Sequence, residues 1–217
     1  MTRADFAYAQ ARLQARHGRL PPTPLWQALE ASRTAAHYLA LASSGPLAPW
    51  VEGLADAAAH DVHGIEHHLR QRWRAYVDEV ARWLPARWQP ATRLFGDLVE
   101  LPLKATPQPG GSAPVPPDAA ARWLDGWQRL LPPAAGDAAL LRRPAELLLP
   151  RLRGASSGRA AQSEPAQHAL LRLFRRHGLS ALAVFAHLAL VALMVERLRG
   201  GWVVRVLLEP RPEPQPS

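Results

Sequence analysis

The stretch HDVHGIEHHLRQRW, residues 60 to 73, places four of the chain's nine histidines within nine positions. Imidazole ligates zinc and is the side chain that titrates near neutrality, so such a run reads as a metal site, a pH sensor or a wet helix face. Turning a helix by about 100° per residue from Val62 sets His60, His63 and His67 near about 160°, 100° and 140°. Ile65, Leu69, Trp73, Tyr76, Val80 and Trp83 gather on the other side, near about −20°. The three histidines therefore share the face that points at water, with His68 at the margin of the apolar stripe. As metal ligands the candidates are His60, His63 and His67. His60 and His67 would stand about 10 Å apart along the axis, whereas zinc–nitrogen bonds are about 2 Å. One ion reaches only two of the three and needs carboxylates from elsewhere. The solvated face is the favoured reading.

Other chemistry has less to stand on. There is no cysteine, which removes disulfides, thiolate metal sites and a thiol nucleophile. No GxSxG elbow, phosphate-cradling loop or dinucleotide motif occurs. The paired carboxylates Asp56 and Asp61, Asp78 and Glu79, and Asp97 and Glu100 read as solvated helix positions. The expectation is a protein with no catalytic residues and no cofactor, not an enzyme.

The elements that must position these residues are helical. ADFAYAQARLQARHG carries Phe6, Ala9, Leu13 and Arg16 at helical spacing, with Gly18 as its stop. Thr23 and Pro24 open a second helix expected from Leu25 to Ser43, its inner face Leu25, Leu29, Ser32, Ala36 and Leu39. A third runs from Leu47 to Leu84 with breaks available at Gly53 and Gly64, and a shorter one follows to Val99. Residues 103–118, LKATPQPGGSAPVPPD, form a Pro/Gly linker between an N-terminal helical half, 1–102, and a C-terminal helical half, 119–208. In the second half Ala120, Trp123, Trp127 and Leu131 mark one helix. AALLRRPAELLLPRLRG gives another, broken by Pro144 and Pro150, and a final stretch spans Glu164 to Arg199. Residues 209–217 are a proline-rich tail read as disordered. GWVVRVLLE, 201 to 209, is the one β-branched run, and a lone strand has no partner. The fold class is all-α, an irregular bundle of about seven to eight helices.

At 217 residues and 48% apolar content the chain can bury a sizeable core. Its net charge is +8, and 25 of its 26 basic residues are arginine, a bias that GC-rich coding explains as readily as function. The arginines are spread along the chain, with no run that tracks a nucleic-acid backbone, so nucleic acid is not the expected partner. The opening residues contain no apolar segment of signal-peptide length, and a cytoplasmic location is expected. Trp73, Trp83, Trp123 and Trp127 fall on core stripes. Trp26, Trp50, Trp88 and Trp202 sit near helix ends, where membrane-interface anchoring or partner contact is open. LSALAVFAHLALVALMV, residues 179–195, is at the lower length limit for spanning a bilayer, yet His187 at its middle is costly there. A helix buried on all sides is the favoured reading, and peripheral or integral membrane contact through 179–195 is the other.

The segment YAQARLQARHGRLPPTPLWQALEASRTAAHYLALASSGPLAPWVEGL resembles the start of the C (or d) subunits of V/A-type rotary ATPases. Tyr8, Ala11 and Arg12 stand in the opening helix, and Leu25, Leu29, Tyr38 and Leu39 in the leucine-rich helix after a loop. The resemblance covers about the first 85 residues. It implies an all-α, non-catalytic subunit that couples a central stalk to a membrane rotor ring. The chain departs from that pattern in its shorter length and its proline linker. Two functions follow as expectations. One is a helical interaction protein, like a stalk subunit, docking on a membrane-associated complex through arginine-rich faces. The other is a membrane-anchored protein whose histidine-rich helix senses metal or pH.

Overall fold

The computed structural model describes residues 6–54, 61–100, 119–133, 138–153 and 159–208. The linker at 103–118, the tail at 209–217, Asp56 and His60 lie outside them. Every described element is helical, and no strand occurs among the described residues, as the all-α reading expects. Ten α-helices are present among those residues. In chain order they begin with α1 (Ala7–His17), α2 (Thr23–Ala31), α3 (Ala35–Ser43), α4 (Ala48–Val51) and α5 (Val62–Arg82). The rest are α6 (Gln89–Gly96), α7 (Ala119–Arg129), α8 (Ala138–Arg153), α9 (Arg159–Arg176) and α10 (Ala181–Leu208). Single 3₁₀ turns at Ala86–Trp88 and Asp97–Glu100 flank α6.

The boundaries follow local hydrogen bonding. Gly18 ends α1 by donating its backbone N–H to Gln14 at 3.0 Å. The helix expected from Leu25 to Ser43 is two helices. Ser32 leaves helical geometry at ψ 141°, and its hydroxyl donates to the Leu29 carbonyl at 2.7 Å. Thr34 then caps α3 by accepting the His37 N–H at 3.2 Å. Short hydroxyl side chains compete with the helix ladder in this way, and the pair of them outweighs the continuous apolar pattern. The long helix expected from Leu47 is interrupted where Gly53 takes φ +77°. The helix Val62–Arg82 follows Asp61, whose carboxylate accepts the Gly64 N–H at 2.9 Å. Gly64 itself lies inside α5.

Three further expectations are corrected. Pro144 and Pro150 do not break their segment: α8 runs through both. Each removes a backbone donor, but buried Leu141, Ala145, Leu148 and Leu149 hold the helix to its neighbours. The stretch from Glu164 to Arg199 divides at residues 177–180, where Leu179 takes a left-handed φ of 59° and Ser180 Oγ donates to the His177 carbonyl at 2.6 Å. The tryptophans near helix ends are core residues: Trp26, Trp50, Trp88 and Trp202 are buried along with the other four. A tryptophan ring is wide enough to reach the interior from a helix end, which position along the chain does not reveal.

The chain forms two compact units, one of residues 1–18 and 73–194, the other of residues 19–72 and 195–217. Each draws on both sides of the proline linker. The first unit is built on an aromatic core. Trp127 meets Phe185 edge-on at 5.0 Å and Phe95 at 5.9 Å, and Phe95 lies 5.2 Å from Phe185. Two indoles satisfy their N–H groups on backbone, Trp73 to Gly96 O at 2.8 Å and Trp127 to Ala91 O at 2.9 Å. Gly96 eases this approach, since a Cβ there would sit 3.1 Å from Val77 Cγ1 and Val77 would have to give by a few tenths of an ångström. The second unit packs Trp26, Leu29, Tyr38, Trp50, Ile65, Leu69, Leu198 and Trp202. Tyr38 donates to the Leu198 carbonyl at 3.1 Å and lies so close to α10 that a Cβ on Gly201 would come within 2.5 Å of its hydroxyl.

α10 is long and apolar enough to cross a membrane by length and composition, and 83% of its most apolar 18-residue stretch is buried within the protein. Of residues 181 to 195 all but Leu193 are buried, the favoured reading of this segment.

Candidate functional site

The histidine-rich face comes first. His63 and His67 lie exposed on α5, as the periodicity predicts, while His60 falls outside the described residues. His67 Nε2 is 2.7 Å from the Gln71 amide nitrogen, one turn on. His68, at the edge of the stripe, is half-buried and donates through Nε2 to the Trp50 carbonyl at 3.1 Å. Burial holds its pKa below the usual histidine value, and the bond to Trp50 opposes that. Among the described residues no three histidine or acidic side chains converge as a metal-binding group. Of the carboxylate pairs, Asp78 takes Arg93 at 3.1 Å and Glu79 takes Arg16 at 2.6 Å, while Glu100 is buried on Arg74. They are tied to arginines rather than to each other.

The first unit holds a buried polar row that no local motif announces. His187, in the middle of α10, is fully buried. Its Nε2 lies 2.6 Å from the Tyr76 hydroxyl on α5. The His17 ring, at the end of α1, stands 6.2 Å from it, and Phe174 of α9 packs on both, at 4.5 Å from His17 and 5.7 Å from His187. Arg16 covers the Tyr76 ring from 4.9 Å. Burial pushes His187 down to about 3, and the neighbouring His17 and Arg16 add to the effect. It pushes Tyr76 up to about 12, against the pull of Arg16. His17 is also lowered, by burial and then by Arg175. The imidazole of His187 is therefore neutral and shares one hydrogen with the Tyr76 hydroxyl at Nε2, while its Nδ1 has no partner among the described residues. Proton transfer at neutral pH works best with a pKa near 7. Burial moves both members of this pair far from it.

A second row runs along the outer edge of α1. Tyr8, Arg12 and Arg16 follow at one-turn spacing, which stacks them on one face. The Arg12 guanidinium lies 4.8 Å from the Tyr8 ring and 5.4 Å from that of Trp83. Arg16 lies 5.0 Å from Trp83 and 4.9 Å from Tyr76. Guanidinium groups favour aromatic faces by about 0.5–1 kcal/mol at exposed sites, so the row fixes two side chains that would otherwise be mobile. Arg16 spends its charge on Glu79. Arg12 meets no acidic side chain among the described residues.

The formal charge is distributed unevenly. The first unit holds 18 basic and 10 acidic residues, and the second holds 8 of each. The whole +8 excess thus belongs to one unit. In the second unit Arg205 is internal. Its Nε donates to Ser32 O at 3.0 Å and Ser32 Oγ at 2.9 Å, and Nη2 to Leu29 O at 2.8 Å and Glu30 O at 2.9 Å. Nη1 reaches Gly201 O at 2.6 Å, and the plane lies 4.5 Å from the Tyr38 ring. The last turn of α10 exposes Leu207 (69%) and Leu208 (76%).

The sequence names Tyr76, Arg16 and His187 singly, but nothing in it joins them. Positions 16, 76 and 187 meet only in the folded chain. No family model, curated protein or solved structure matches this chain.

Proposed function

We propose that this protein is a non-catalytic helical interaction protein of the cytoplasm that docks on a membrane-associated complex, in the manner of the stalk subunits its first helices resemble. The observation that carries this reading is the placement of the whole +8 excess in one unit, with Arg12 displayed there on an aromatic row and meeting no carboxylate among the described residues. A concentrated basic field steers an acidic partner and raises its association rate. The protonation states of His187 and Tyr76 support a structural role for the buried row rather than general acid–base work. The test is purification of the tagged chain in mild detergent at low ionic strength. Stoichiometric recovery with an acidic subunit of a membrane complex is expected. Recovery of the chain alone and monomeric counts against the proposal.

A second reading, a membrane anchor formed by α10, is favoured by the length and composition of that helix. The burial of its apolar stretch supports a core helix instead. Partition between membrane and wash separates them.

A further inference from the structure

Arg16 and Arg12, one turn apart on α1, both lie over the Trp83 ring. Arg16 lies over Trp83 and Tyr76 and holds the Glu79 carboxylate at 2.6 Å. Arg12, one turn earlier, lies over Trp83 and Tyr8. Its guanidinium is exposed, oriented by two rings, and meets no carboxylate among the described residues. Tyr8 beside it is 58% exposed, the largest exposed ring of the first unit. Stacking removes much of the rotamer freedom that an exposed arginine otherwise loses on forming an ion pair. The unit around it carries the full positive excess.

We propose that Arg12, flanked by Tyr8, is a docking position for a glutamate or aspartate of a protein partner, the intermolecular counterpart of the Arg16–Glu79 pair. The proposal rests on the interaction-protein reading and names the chemistry of the contact. A protein carboxylate fits better than a nucleic acid, because Tyr8 is the one open ring of the row and successive bases would find no second ring to stack on. Trp83 is 9% exposed, and Tyr76 is stacked on Trp73 with Arg16 on its ring. Single-stranded nucleic acid needs free aromatic faces for stacking. A carboxylate needs only the edge of the guanidinium, which stacking leaves free.

The test is fluorescence anisotropy of a labelled helical peptide with glutamates at i and i+4 spacing, titrated at low ionic strength with the full chain. Arg12→Gln is expected to weaken binding about tenfold, equivalent to about 1.4 kcal/mol. Arg129→Gln removes the same charge from α7, outside the row, and is expected to change binding less than about twofold, as rim charges do. Arg12→Lys, which keeps the charge and loses the planar stack, is expected to fall between them. Thermal melts of the three variants should stay within about 4 °C of the parent, since both arginines are exposed and the stack on Tyr8 and Trp83 contributes only about 0.5–1 kcal/mol. Equal weakening by Arg12→Gln and Arg129→Gln would mean a response to bulk charge, overturning the Arg12 assignment while leaving the acidic-partner reading in place. An absence of peptide binding by the parent chain overturns both. Tighter binding of a single-stranded oligonucleotide than of the peptide, with the same sensitivity to Arg12→Gln, overturns the choice of a protein partner.

Discussion

His187 shows how a single polar group is tolerated in an apolar helix. A buried imidazole without a charged partner stays neutral, because its ionised form would lose hydration that nothing in the core replaces. The Tyr76 hydroxyl satisfies one ring nitrogen, and His17, Arg16 and the core around α9 disfavour a positive charge on the ring. The consequence for stability has a definite sign. Above about pH 6.5, the unfolded value, both states are neutral at this position and it contributes no pH dependence. Below it the unfolded chain binds a proton that the native protein refuses until about pH 3. Stability therefore falls as pH drops through that window, by up to about 5 kcal/mol at 1.36 kcal/mol per pKa unit. The variant His187→Gln keeps an acceptor for Tyr76 and cannot titrate. Urea midpoints between pH 7 and 4 should fall less steeply for it than for the parent, and parallel curves would refute this account of the residue.

Helix ends rather than helix interiors decide the element scale. α2 stops where Ser32 turns out of helical geometry, and the carbonyls it leaves are taken by Arg205 of the same unit, from 173 to 176 positions away. Positive side chains at helix C-termini satisfy orphan carbonyls and meet the negative end of the dipole. The planar fork of arginine reaches several acceptors at once, which a lysine ammonium does not. Arg205→Lys should therefore lose at least two hydrogen bonds, costing about 2 kcal/mol and lowering the melting temperature by roughly 4–8 °C for a chain of this size. A melt within about one degree of the parent would show that lysine recovers the cap. At this scale the sequence was readable in part. The hydroxyl pair Ser32 and Thr34 is a recognisable stop and start signal, which the continuous run of apolar residues around it masks. The prolines of α8 were read as breaks because the burial that holds them lies in other segments.

At the scale of the whole molecule, α10 poses the choice between core and membrane. Composition alone fits either, since a buried helix and a spanning helix present the same apolar surface. Its burial within the described residues and the hydrogen-bonded His187 favour the core. Extraction of native membranes with alkaline carbonate should release the protein into the wash. Retention in the pellet would identify a spanning segment and reverse the ranking of the two readings. On the proposed reading, association with an acidic partner weakens as added salt shortens the screening length below about 10 Å.

The helical class, the solvated face carrying His63 and His67 and the apolar stripe of α5 were all legible in the sequence, because they depend on 3.6-residue periodicity, a property of neighbours along one helix. What the tertiary structure decided was the meaning of isolated residues: that all eight tryptophans are buried, that His187 meets Tyr76, and that Arg12 and Arg16 both lie over one indole. Each of these joins positions far apart in the chain. Local periodicity carries no record of such pairings, which arise from the packing of whole helices.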